Sequence, residues 1–161
     1  EYGDLGLLPI QRMQILKKSR AKRNATLKLI NRFRNERLLV FCGLTEIADS
    51  LSIPSYHSKN KDEELKQNFC SGKSRYLATV DMFEAGVTIK PIGKAILNSF
   101  DSNPENLAQR VSRITGFEYD NPEKKAVVYI VCTDTVEQKW LKKALEFFDM
   151  SKVNYLSIND L

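Results

Sequence analysis

Four short, almost uninterrupted apolar runs limit what this chain can become: Arg37 to Cys42, Tyr76 to Val80, Lys94 to Asn98 and Lys125 to Cys132. A strand buried on both faces reads as a continuous apolar run, whereas a half-exposed strand alternates with polar residues. Between these runs lie segments with helical spacing. Glu46 to Leu51 follows the punctuation of Gly43 and Thr45, and Lys61 to Cys70 carries Leu65 and Phe69 at i,i+4 with Gly72 as a stop signal. Pro54 restarts the chain into a further short strand, Ser55-Tyr56-His57, and Thr135 caps a last helix expected to run through Phe148. Strands alternating with helices imply βαβ units, hence an α/β domain with a mainly parallel sheet flanked by helices.

Charge is unevenly distributed. The formal net charge is +5, yet Pro9 to Asn35 holds nine basic residues and no acid, which leaves the remainder at −4 (5 − 9). The same stretch has apolar residues at three-to-four spacing (Ile10, Met13, Ala25, Leu29, Ile30, Phe33), with Ser19 as a break. A basic helical face, including Lys17, Lys18, Lys22 and Arg23, is the electrostatic footprint of a polyanion partner. We therefore divide the chain into a basic N-terminal helical segment, 1–34, and a globular domain, 35–161.

Other features exclude chemistries. No apolar run approaches the roughly 20 residues that span a bilayer, so no membrane partner is expected. Cys42, Cys70 and Cys132 show no CxxC spacing, which argues against a disulfide framework or zinc site and for a reducing, intracellular setting, cytoplasmic or nucleoid or nuclear. His57 is the single histidine and is read as structural. Gly72-Lys73-Ser74 looks like the end of a P-loop, but Gln67 stands at the first-glycine position and the segment precedes a strand instead of following one. The chain opens on Glu1 instead of Met, which points to a piece of a longer protein.

Ligands of open α/β sheets bind at the carboxyl ends of the strands. After the first strand comes Gly43-Leu44-Thr45. After the third comes a stretch with Asp81, Glu84 and Gly86, the two acids being candidate cleft residues. After Ile96-Leu97-Asn98 comes a helix with Gln109-Arg110-Val111-Ser112-Arg113. Arg110 and Arg113 project from neighbouring turns of one helix face. Two guanidiniums there suit a triphosphate, because they are planar donors that never lose their charge.

In this order the three segments resemble motifs IV, V and VI of the C-terminal RecA-like domain of superfamily 2 helicases and translocases. Arg37 to Leu51 is similar to motif IV, Ala78 to Ile89 to motif V, and Gln109 to Arg113 to motif VI, usually written QRxGRxxR. The resemblance covers roughly Lys22 to Phe148 and implies a RecA-like three-layer sandwich. It implies a second motor lobe that supplies arginines to ATP with Mg bound mainly by an absent N-terminal RecA-like lobe of the same protein. Arg113 is the main arginine-finger candidate, with Arg110 beside it. Gln109, Glu84 and Gly86 would line the nucleotide cleft, while Gly43, Thr45 and Thr79 would contact a nucleic-acid backbone, DNA favoured over RNA. The lobe alone would then be inactive. Two departures stand out: Ser112 replaces the motif VI glycine, and Gly116 stands where the last arginine usually sits. The alternative reading is a non-catalytic nucleic-acid-binding module on the same fold.

Overall fold

The apolar runs become a five-stranded, all-parallel sheet of order β2-β3-β1-β4-β5 in the computed structural model, which describes residues 7–80, 89–115, 126–133 and 135–161. The strands are β1 (Leu38–Phe41), β2 (Ser55–Tyr56), β3 (Tyr76–Thr79), β4 (Lys94–Leu97) and β5 (Val127–Ile130). Around them lie α1 (Leu7–Lys17), α2 (Arg20–Arg32), α3 (Thr45–Asp49), α4 (Glu63–Cys70), α5 (Pro104–Thr115) and α6 (Thr135–Ala144).

Alternation along the strands builds two cores, one on each face of the sheet. Leu39 and Phe41 of β1 join Leu77, Ala95 and Leu97 beneath Phe69 of α4, Leu107 and Ile114 of α5, and Leu141 and Ala144 of α6. Leu38 and Val40 join Ala78 and Ile96 beneath Ala25, Leu29 and Ile30 of α2 and Ile47 and Ala48 of α3. The result is a three-layer sandwich, as expected. α2, although it lies in the span read as a lead-in, packs directly on the sheet.

Local chemistry sets the helix ends. The break at Ser19 is real: its hydroxyl caps α2 by accepting from the Lys22 amide at 3.4 Å. Asp62 caps α4 through the Leu65 amide at 3.0 Å, and Gly72 ends that turn with φ +83°, a left-handed conformation that side chains with a Cβ resist. The Gly72-Lys73-Ser74 stretch is therefore a helix-to-strand turn, as its order before β3 requires. Asn103 caps α5 by accepting from the Glu105 amide at 2.9 Å, with Pro104 at the first helical position where no donor is needed. α6 stops four residues before Phe148, because the chain tightens at its end: the Phe148 amide bonds the Leu145 carbonyl three residues back. Among the described residues no helix is long and apolar enough to cross a membrane.

The strands are also level at their carboxyl ends. Phe41 lies opposite both Thr79 and Leu97, and Leu97 lies opposite Ile130. At the amino end of the sheet, Arg37 holds the foot of β1. Its guanidinium stacks 5.0 Å from the Phe69 ring centroid and donates to the carbonyls of Phe69, Lys90 and Pro91.

Candidate phosphate-facing site at the switch point

From β1 the chain moves outward to β2 and returns through β3. It then crosses to β4 on the other flank of β1 and continues to β5. The direction of winding therefore reverses between β1 and β4. The connections leaving these two neighbours diverge onto opposite faces, α3 to one and α5 to the other, and this opens a crevice above their carboxyl ends. A pocket of about 200 Å³ occupies that crevice. Its walls include Cys42 and Gly43 after β1, Ser99 and Asp101 after β4, Arg110 from α5 and Lys17 from α1.

Arg110 is anchored there, its Nη1 donating to the Ser99 carbonyl at 3.2 Å. Gly43 is needed for space: a Cβ at this position would lie 2.6 Å from Ser99 Oγ and 2.9 Å from Lys17 Cγ. Asp101 faces the start of α5, accepting from the Asn103 amide at 2.9 Å and from Asn106 Nδ2 at 3.0 Å. Burial pushes the Cys42 thiol up to about 12. At pH 8 only about one Cys42 in ten thousand is then a thiolate, the form that alkylating agents attack. Maleimide should leave Cys42 unmodified in the folded protein while reacting with the part-exposed Cys70 and Cys132. Peptide mapping that found Cys42 labelled as fast as Cys70 would contradict this.

The structure brings together only part of the expected site. Arg110 and Gly43 share the pocket. Thr45 is part-exposed at the first residue of α3, and Gln109 is exposed on α5. Arg113 stands on α5 three residues beyond Arg110, but its side chain lies outside the described residues, as do Glu84, Gly86, Asp81 and Gly116. Thr79 is 1% exposed at the end of β3, where its carbonyl accepts from the Cys42 amide at 2.8 Å.

The basic face is corrected by the burial of Lys22. Lys22 is 1% exposed and pairs with Glu137 of α6, and Arg23 spends its guanidinium on the Ser50 hydroxyl and carbonyl at 2.8 and 2.7 Å. Lys18 pairs with Glu46 at 3.3 Å. Helix periodicity turns part of the run inward, so it does not form one continuous outer face.

Sequence reasoning did not anticipate Lys17 and Asp101 as pocket residues. The position of Asp101 just after β4 was a usable signal, whereas nothing local marked Lys17. His57 is structural, as expected: it is 3% exposed, its Nε2 meets Asp49 Oδ1 at 2.8 Å, and its Nδ1 accepts from the Lys59 amide at 3.3 Å. Asp49 also accepts from Ser55 Oγ at 2.6 Å, and these bonds, Ser55 first, hold its carboxyl below the usual carboxylate range.

A parallel three-layer α/β domain with an arginine-bearing helix over its switch point has the architecture of a RecA-like domain. The family model of the helicase conserved C-terminal domain matches residues 21–116, and the chain belongs to that family. No curated protein sequence matches it. Among solved structures, it is similar to the C-terminal domain of S. cerevisiae Dbp5 bound to Gle1, at 16% identity and a TM-score of 0.63, over 80% of this chain and 78% of that one. It is similar to E. coli DEAD-box protein SrmB bound to RraA, at 15% identity and a TM-score of 0.61, over 80% of this chain and 79% of that one. Dbp5 bound to RNA and ADP BeF3 matches at 16% identity and a TM-score of 0.65, over 79% of this chain but 36% of that longer one.

Proposed function

We propose that this domain is the second motor lobe of an ATP-dependent helicase or translocase. The observation that carries the reading is the placement of Arg110 in the pocket at the switch point, on the helix that resembles motif VI. In this reading ATP with Mg is bound mainly by an N-terminal RecA-like lobe, and nucleotide binding closes the two lobes. Arg110 and Arg113 then face the γ-phosphate, where a fixed cation stabilises the charge that builds on the transferring phosphoryl group. Within this chain, the anchored Arg110 guanidinium fits such a phosphate. In this reading Gln109, and by the motif V resemblance Glu84 and Gly86, belong to the nucleotide cleft. Gly43 and Thr45 grip a nucleic-acid phosphate, and hydrolysis, by reopening the lobes, moves that grip along the strand.

Dbp5, one of the solved neighbours, is bound to RNA, which speaks against favouring DNA. The track is therefore a nucleic-acid strand whose sugar is left to experiment. The second reading, a non-catalytic nucleic-acid-binding module, is favoured by Gly116 at the place of the last motif VI arginine. The test is ATP hydrolysis by the protein that joins this domain to a P-loop lobe, with and without single-stranded RNA or DNA. Stimulation by either strand supports the motor. Oligonucleotide binding without hydrolysis selects the second reading, and neither binding nor stimulated turnover rejects both. Backbone grips also predict affinity that falls steeply with salt.

A further inference from the structure

We propose that Lys17 of α1 is the second cation of a phosphate clamp completed by Arg110. The inference deepens the reading above and rests on it to the extent that both give Arg110 a phosphate to bind. Lys17 is the one member of the basic N-terminal run that lines the switch-point pocket. Its neighbours are committed elsewhere: Lys18 to Glu46, Lys22 to Glu137 and Arg23 to Ser50. Among the described residues neither Lys17 nor Arg110 forms a salt bridge. Asp101, which shares the pocket, is held by the amide of Asn103 and the side chain of Asn106, and two cations against this one carboxylate leave the walls with an excess of positive charge.

The geometry brings the two cations to one volume. α1 comes down onto the turn after β1 because Gly43 has no side chain, and the stem of Lys17 fills the position a Cβ would need. Opposite, the Ser99 carbonyl fixes the Arg110 guanidinium at 3.2 Å. Like charges around one pocket repel unless an anion lies between them. A volume of about 200 Å³ is below the roughly 300–1,000 Å³ of whole-ligand pockets, so it suits one phosphoryl group better than a nucleoside. The lysine supplies a compact point charge and the arginine a planar fork, a pairing that phosphate sites use.

Calorimetric titration of this chain with inorganic tripolyphosphate, at ionic strength held constant with chloride, tests the clamp. Saturable 1:1 binding is expected. Lys17→Gln should weaken it at least fivefold, Lys17→Arg should stay within twofold of the parent, and Lys28→Gln, on the exposed face of α2, should leave it unchanged. No binding by the parent chain, or equal losses in Lys17→Gln and Lys28→Gln, would overturn the clamp. If Arg110→Gln weakens binding and Lys17→Gln does not, the assignment of Lys17 falls while the phosphate reading of Arg110 stands. If neither substitution matters, both fall. Displacement of tripolyphosphate by ATP assigns the site to a nucleotide phosphate and displacement by a single-stranded oligonucleotide to a backbone phosphate. Displacement by neither overturns the clamp.

Discussion

Lys22→Met is expected to destabilise the domain by about 3–5 kcal/mol, the cost of stranding the partner of a buried ion pair. Lys22 and Glu137 are 1% and 2% exposed, and their charged atoms meet at 2.5 Å. The ammonium also lies 5.4 Å from the Phe100 ring centroid, and Glu137 Oε2 accepts from the Thr133 amide and hydroxyl at 2.9 and 3.0 Å. The pair joins α2 on one face of the sheet to α6 on the other, above the carboxyl end of β4. A second polar link runs alongside: Asn98 Nδ2 donates to Thr26 Oγ1, which in turn donates to the Lys22 carbonyl, both at 2.9 Å. Methionine fills the space of the lysine stem but leaves the Glu137 carboxyl buried without its ammonium partner. Replacing both, as Lys22→Met with Glu137→Leu, should recover most of the loss, because two apolar groups need no solvation. Urea unfolding followed by circular dichroism measures both variants. A single substitution costing under about 1 kcal/mol, or a double variant no better than the single, would show that the contact carries little weight.

The second large effect concerns turnover. Under the proposed function, in a protein that joins this domain to a P-loop lobe, Arg113→Ala should lower the nucleic-acid-stimulated rate of ATP hydrolysis about a thousandfold while leaving ATP affinity nearly intact. A positioned arginine acts on charge that exists only in the transition state. A thousandfold corresponds to about 4 kcal/mol of transition-state stabilisation. Arg110→Ala should lower turnover as well and should also loosen the Ser99 turn that Arg110 bonds. Lysine at either position should not restore the rate, since a point charge does not reproduce a planar fork. Unchanged turnover in both alanine variants would remove the arginines from the chemistry.

Much of the fold was legible because a buried parallel strand has nowhere to place a polar residue, although the edge strand β5, with Val127 44% exposed, is apolar without being buried. The apolar runs at 37–42, 76–80, 94–98 and 125–132 each contain one of the four longer strands. Ser19 and Gly72 were legible for local reasons, a hydroxyl that can cap and a backbone that can turn left-handed. The site was less so. Lys22 looked like its basic neighbours, since the carboxylate that draws it inward is 115 residues away in sequence. Thr79 was assigned to a phosphate through a motif, and its burial at the end of β3 comes from tertiary packing that the motif does not encode. Lys17 enters the pocket through the descent of α1 onto Gly43, a tertiary approach that helical periodicity does not encode.

The level carboxyl ends of the strands have a further consequence for how this domain can vary. Phe41, Thr79, Leu97 and Ile130 form one row, so the segments that follow them all leave the sheet at the same height. One residue inserted in β1 would raise Gly43 by about 3.3 Å and turn every later side chain to the opposite face. The apex can therefore accept exchanges of side chains much more readily than a change in strand length. Insertions and deletions are tolerable beyond the row, in the loops, and there the domain has room to diverge.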